Sequence, residues 1–462
     1  MPQSTRRWIE EKVKSFHESE HLPFHEVLSA DMVKSALAAE GVKFNERIYT
    51  PFVTVCMFLS QVLDPDHSCR AAVARLIVWL AVNRRAPCSP ETNSYCDARQ
   101  RLPLGVVVHL VRHTAADAEA SASDQWLWKG KRVSLIDGTT ASMPDTAANQ
   151  RAFPQSKAQG MGLGFPLVRM VGLISLATGV VRDLALGPYI GKETGETALF
   201  RAILDGVKAG EIVLGDRCFS SFFMLADLMQ RKIDALFRMH QCRKFDFRRG
   251  RRLGVEDHVV TWIKPERPEW MDQETYARIP NELTIRELRF KVEQPGFRVN
   301  EIVLVTTMLD VTEDTKEELA DLFLERWNIE LDFRSIKVVL QMEVLRCMSP
   351  EMVKKEIWMH LLAYNLIRSV MAKAAAAHNK QPRNLSFKGA LQTMTAFQDV
   401  LRLAPPQDRE YLVREMLRAI ASHEVRDRPN RVEPRANKRR PRRQRFLMEP
   451  RHEARKRLLG KA

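Results

Sequence analysis

Phe323, Arg326, Glu330 and Lys337 follow one another at steps of three, four and seven residues. On a helix turning about 100° per residue they share one stripe roughly 60° wide. Leu324, Trp327, Leu331 and Val338 flank that stripe on one side, and Ile329, Phe333, Ile336 and Leu340 on the other. Glu325, Asn328, Asp332 and Ser335 fall opposite, where solvent is expected. An ordinary surface helix has a single polar face, so a second polar stripe between two apolar shoulders restricts how this segment can pack. A stripe lining a site satisfies the pattern, and so does an internal Arg326–Glu330 ion pair at i,i+4.

Two further segments supply carboxylates. Val133-Ser134-Leu135-Ile136 reads as a short buried strand that stops at Asp137 and delivers it into the turn Gly138-Thr139-Thr140. Glu211-Ile212-Val213-Leu214-Gly215 repeats the pattern and ends at Asp216-Arg217. Strand-terminal aspartates are common turn formers, but strand ends of an α/β sheet are also where ligand-binding groups collect. With Glu330 the set is three carboxylates, a donor type suited to Mg²⁺, with Mn²⁺ as a substitute. Two such ions about 4 Å apart activate a water and steady the leaving oxygen of a phosphodiester. Arg326 and Lys337 then match phosphate.

These residues resemble the IS4-type bacterial insertion-sequence transposases. The likeness is carried by Asp137-Gly138-Thr139, by Pro144-Asp145-Thr146 with Asn149, and by Gly215-Asp216-Arg217 with Phe219 and Ser220. It is carried most specifically by the helix signature Tyr, Arg, Glu, Lys, here Phe323, Arg326, Glu330 and Lys337. Tyr95-Cys96-Asp97-Ala98-Arg99, Val305-Thr306-Thr307 with Leu309-Asp310, and Leu362-Ala363-Tyr364-Asn365-Leu366-Ile367-Arg368 are similar to other blocks of the family, so the likeness runs from about residue 90 onward. The resemblance implies an Asp-Asp-Glu catalytic triad at Asp137, Asp216 and Glu330 on an RNase H-like core. It also implies cut-and-paste DNA movement through a hairpin intermediate and a homodimeric synaptic complex. Phe323 departs from the pattern, because it keeps the ring of the usual Tyr and loses the hydroxyl. The loss of one phosphate hydrogen bond is worth about 0.5 to 3 kcal/mol, which weakens DNA positioning without removing the triad.

Composition agrees with double-stranded DNA as partner. The 462 residues carry a formal charge of +15, an excess that acts through phosphate attraction and counterion release. From Arg426 onward there are fifteen Lys and Arg against four Asp and Glu, with prolines at 429, 434, 441 and 450. Arg439, Arg440 and Arg442 are its densest cluster, and an extended arm ordering on DNA, or a general nucleoid-association tail, fits this composition. The apolar run Ala71 to Val82 is broken by Arg75 and is shorter than the roughly 20 residues a bilayer needs, so no membrane span is expected. The charged first eighteen residues lack a signal peptide's apolar stretch. Seven scattered cysteines without a C-x-x-C pair point to a reducing cytoplasm, and the localisation expected is cytoplasmic and nucleoid-associated. Gly160, Gly162 and Gly164 miss the phosphate-loop spacings, so no nucleotide cofactor is expected.

The expected fold class is mixed α/β: an RNase H-like five-stranded mixed sheet with flanking helices, interrupted by a β-rich insertion, plus N- and C-terminal helical regions. The divisions expected are 1–128 (helical, a candidate DNA-end domain), 129–240 (core), 241–312 (insertion), 313–348 (core, with Glu330), 349–425 (helical, a candidate dimerisation region) and 426–462 (basic tail). Within the core the order reads as three strands, helix, strand, helix, strand. The insertion carries Arg243, Lys244 and the Arg248 to Arg252 cluster, a phosphate-following face or a solvated hairpin tip. Trp262 within it is a candidate to stack an extruded base, or a half-buried strand residue. Thr315-x-x-Glu318 is a capping box opening the helix that bears Glu330. Two other functions fit the same residues: a metal nuclease of this fold without strand transfer, and a non-catalytic DNA-binding inhibitor derived from a transposase.

Overall fold

The computed structural model describes residues 28–41, 44, 48–82, 84–292, 301–425 and 446–460. They form two compact units. One takes the described residues of Met1–Gly130, Ala177–Asp183 and Leu331–Val425; the other takes those of Lys131–Leu176, Leu184–Glu330 and Arg426–Ala462.

The second unit is built on a nine-stranded sheet. Its strands are β1 (Val133–Ser142), β2 (Leu167–Ser175), β3 (Val181–Pro188), β4 (Ile212–Gly215), β5 (Asp234–Arg238), β6 (Arg251–Gly254), β7 (Asp257–Ile263), β8 (Glu282–Lys291) and β9 (Glu301–Thr306), in the order β3-β2-β1-β4-β5-β9-β8-β7-β6. β1 runs antiparallel to β2 and parallel to β4, and β4 parallel to β5. The first five strands reproduce the expected mixed sheet, with helices Glu196–Ile203 and Phe222–Gln230 where two helices were expected. β4 is buried along its whole length, as a central parallel strand covered on both faces must be. Ile136, Val171, Phe200, Phe219, Leu225 and Phe237 are among the residues filling the core beside it.

The insertion does not make a sheet of its own. β9 pairs antiparallel with β5, β8 with β9, and β7 with β8, so the segment extends the core sheet to nine strands. The physical reason is that β5 would otherwise leave an open edge, and β9 supplies its missing hydrogen bonds. Within this extension Arg286 and Asp257 form a fully buried forked pair, at 2.8 and 2.7 Å. Pro295-Gly296, a turn signature in the sequence between the segments of β8 and β9, lies outside the described residues.

The first unit is helical. Pro51–Leu63 begins with Thr50 accepting a hydrogen bond from the Val53 amide and with proline in the first turn, the favoured helix start. Cys69–Val82 follows, and Pro350–Ala377 is the longest helix among the described residues and buried along most of its length. Its polar residues are structural. Asn365 accepts from the Val181 amide at 2.8 Å and donates to the carbonyls of Val181 and Val111 at 2.9 and 3.2 Å. Tyr364 and Trp358 are buried in the same helix.

Candidate active site

The capping box forms: Thr315 accepts from Glu318's amide while the Glu318 side chain returns to Thr315. The helical run it opens is less regular than its sequence pattern. Lys316–Leu324 is α-helical, Glu325–Trp327 tightens to a 3₁₀ turn, Asn328–Arg334 is α-helical again, and Ser335–Val339 widens to a π turn. The Asn328 side chain donates to the Glu325 carbonyl at 3.0 Å, and the Leu340 amide reaches back five residues to Ser335 at 3.0 Å. Such departures from α geometry gather at functional sites.

The faces of this run differ from the sequence expectation. Leu324, Trp327, Leu331 and Val338, one of the two apolar shoulders, are exposed, between 38 and 57%. Asp332, expected in solvent, is fully buried. Its carboxylate takes the Tyr364 hydroxyl at 2.8 Å, Arg368 at 2.6 Å and Arg383 at 2.8 and 2.7 Å. With four donor contacts the charge is compensated, which is why burial is tolerated.

β1 also differs. It does not stop at Asp137 but continues to Ser142 against β2; what ends there is pairing with β4, whose last register is Ile136 against Gly215. After Gly215 the chain turns through Asp216 into the 3₁₀ segment Arg217–Phe219. Asp137, inside β1, and Asp216, just past the end of β4, thus stand at the same level of neighbouring parallel strands. Gly215 is required by packing: a Cβ there would stand 2.9 Å from Ile136 and 3.0 Å from each of Phe219 and Phe237.

Arg326 joins the third carboxylate to Asp137. Its guanidinium donates to Asp137 Oδ2 at 3.3 Å and to Glu330 Oε1 at 3.1 Å. The Phe323 ring is buried, 6.0 Å from the guanidinium carbon. Asp137 also accepts the Gly138 amide at 2.8 Å. Burial pushes its carboxyl up from 3.8 to about 6; the Gly138 amide and Arg326 oppose the rise, and the carboxylates of Glu196 and Asp216 add to it.

Glu196 and Cys218 were missed in the sequence. Glu196 opens helix Glu196–Ile203, and its Oε2 lies 3.5 Å from Cys218 Sγ. Burial and this carboxylate raise the Cys218 thiol well above its ordinary range. The signal available was a glutamate in the first turn of a helix flanked by both aspartate strands.

The remaining candidates are scattered. Arg217 is exposed and donates to Gln241 at 2.7 Å. Trp262 is 4% exposed, donates to Glu287 at 2.8 Å, and has Arg243 stacked 3.4 Å above its ring, so stacking a base on that face requires Arg243 to leave. Lys244 is exposed, while Arg248 pairs with Asp246 at 2.9 Å. Lys337 is half-buried in the π turn of the helical unit. Arg439, Arg440 and Arg442 lie outside the described residues.

Among the described residues no three His, Cys, Asp or Glu side chains form a ready-made metal cage. The donor set nonetheless fits a hard divalent cation. It offers carboxylate oxygens only, and the space between Asp137 and Glu330 already accommodates a guanidinium charge.

Comparison with known proteins gives the family. The family model described as "Transposase DDE domain" matches residues 128–366, which includes all three carboxylates. The chain is 28% identical over 429 residues to the transposase InsG for insertion sequence element IS4 of Escherichia coli strain K12, covering 90% of this chain and 91% of that one. It is 24% identical over 206 residues to the putative transposase InsZ of the same organism, covering 41% of this chain and 67% of that one. A solved piggyBac transposase synaptic complex with hairpin DNA aligns at 9% identity over 86% of this chain and 84% of that chain, with a TM-score of 0.43. No helix among the described residues is long and apolar enough to cross a membrane. The chain belongs to the DDE transposase family and is IS4-like.

Proposed function

We propose that this chain is a Mg²⁺-dependent DNA transposase that cleaves at the ends of an insertion sequence and joins the freed 3′-hydroxyl to target DNA. The observation carrying this reading is the level register of Asp137 and Asp216 on parallel strands, with Glu330 drawn to Asp137 through Arg326. Asp137, Asp216 and Glu330 are the residues that would hold the ions. When bound, the ions supply activation of the attacking oxygen and stabilisation of the leaving one.

The chain's own residues do the rest. Arg326 offers a planar fork that suits a phosphate as well as a carboxylate, and the buried Phe323 ring beside it limits where that fork can swing. Arg217, exposed one residue beyond Asp216, would hold a neighbouring phosphate. Lys337 is assigned to phosphate, and Arg243, Lys244, Trp262, Arg439, Arg440 and Arg442 to more distant DNA contacts. The N-terminal helical region is proposed to grip the element ends, in a homodimeric complex that processes two ends together.

The test uses a labelled element-end duplex and a target plasmid. Nicking and joining are expected with Mg²⁺ or Mn²⁺ and are lost, by on the order of 10³-fold or more, in Glu330→Ala. Nicking without joining favours the nuclease function, and metal-dependent cleavage that survives the substitution overturns the proposal.

A further inference from the structure

Among the described residues, Glu196 is an acidic side chain close enough to act on Asp137 that the family signature does not account for. A Cβ added to Gly138 would collide with its carboxyl group, so that group lies against the backbone of the residue following Asp137. Its other oxygen meets Cys218, two residues beyond Asp216, at 3.5 Å. The carboxyl is therefore wedged between the positions that follow the two strand-borne aspartates. Its helix is fixed there as well, because the Thr197 hydroxyl donates to the Cys218 carbonyl at 3.2 Å.

Charge makes the position informative. Arg326 is shared between Asp137 and Glu330, whereas among the described residues the Glu196 carboxyl has no ion pair and accepts only from the Cys218 thiol. A carboxylate kept merely for packing beside other carboxylates is unfavourable, and a glutamine of the same shape would serve better. Gly138 also leaves room for the carboxyl that any side chain at 138 would displace.

We propose that Glu196 is a fourth cation-facing carboxylate of the active site, which adds its charge to the hold on a hydrated divalent ion and so sets the affinity for that ion. The inference rests on the transposase reading of Asp137, Asp216 and Glu330. Glu196 acts on binding of the ion, through charge or through a bound water, and carries no step of strand cleavage.

The experiment is calorimetric titration of the full chain with Mn²⁺ in the absence of DNA, with melting temperature as the folding control. Glu196→Gln is expected to weaken Mn²⁺ by about tenfold, the effect of removing one charge close to the ion. Glu196→Asp should recover part of the loss. Gly138→Ala, which displaces the carboxyl, should weaken binding in the same direction, with little further loss when combined with Glu196→Gln. Asp137→Asn should remove the binding. If Glu196→Gln binds Mn²⁺ within about twofold of the wild type while Asp137→Asn does not bind, the role of Glu196 is overturned and the triad stands. If the wild type takes up no Mn²⁺, or Asp137→Asn is without effect, both are overturned together.

Discussion

Asp137 and Asp332 are both carboxylates removed from bulk water, and they are treated in opposite ways. Asp332, in the helical unit, is fully buried and receives two arginines and a tyrosine. Asp137, in the sheet unit, is 21% exposed, shares a single guanidinium with Glu330, and feels two further carboxylates. A buried charge whose partners saturate it fixes a structure; one left short of positive charge is prepared to receive it. The pair Asp257–Arg286 in the sheet extension belongs with Asp332, being buried and forked with no charge to spare.

The contrast is most exposed to failure at Asp332. Asp332→Ala leaves Arg368 and Arg383 facing each other without their anion, and should lower stability by about 3 to 5 kcal/mol in a urea titration. A loss under about 1 kcal/mol would mean that the network is not holding the helices.

Asp137→Asn should behave in the opposite sense. The folded-state pKa of about 6 lies above the ordinary 3.8, so the folded protein binds this proton more tightly than the unfolded chain. The associated stabilisation is complete below about pH 4 and is lost as pH rises through about 6, on the order of 2 to 3 kcal/mol in all. Asp137→Asn should abolish that slope and melt at or above the wild-type temperature at pH 7.5. An unchanged pH profile would place Asp137 among the saturated carboxylates. Divalent-ion affinity should correspondingly rise with pH through about 6 in the wild type.

The smallest expected effect concerns the departure from the family signature. Phe323→Tyr restores the missing hydroxyl beside Arg326 and should strengthen binding of an element-end duplex by about 0.5 to 1.5 kcal/mol, read by fluorescence anisotropy. Weaker binding would mean that the buried ring has no room for the added oxygen.

Much of this could be read from the chain alone. The capping box at Thr315, the short strand ending just before Asp216 and the strand–helix alternation rest on local patterns, and local patterns survive folding. The burial of Asp332 was hidden, because its partners Arg368 and Arg383 lie 36 and 51 residues away. The exposed shoulder at Leu324, Trp327, Leu331 and Val338 was hidden too, since a periodic pattern marks a face without saying what covers it. β1 passes Asp137 because its pairing with β2 outlasts its pairing with β4, a matter of partner length that the strand's own residues do not encode. Glu196 comes to the site through the collision-free backbone of Gly138, which depends on a contact 58 residues away in sequence.

The central claim is that Asp137, Asp216 and Glu330 serve one cation cluster. Crystals of the full chain with an element-end duplex and Mn²⁺, measured at the manganese absorption edge, test it most directly. The account predicts anomalous density bounded by oxygens of all three carboxylates within about 2.5 Å, with Arg326 turned from them toward phosphate. Manganese bound elsewhere, with Arg326 still bridging Asp137 and Glu330 beside a correctly placed DNA end, would contradict it.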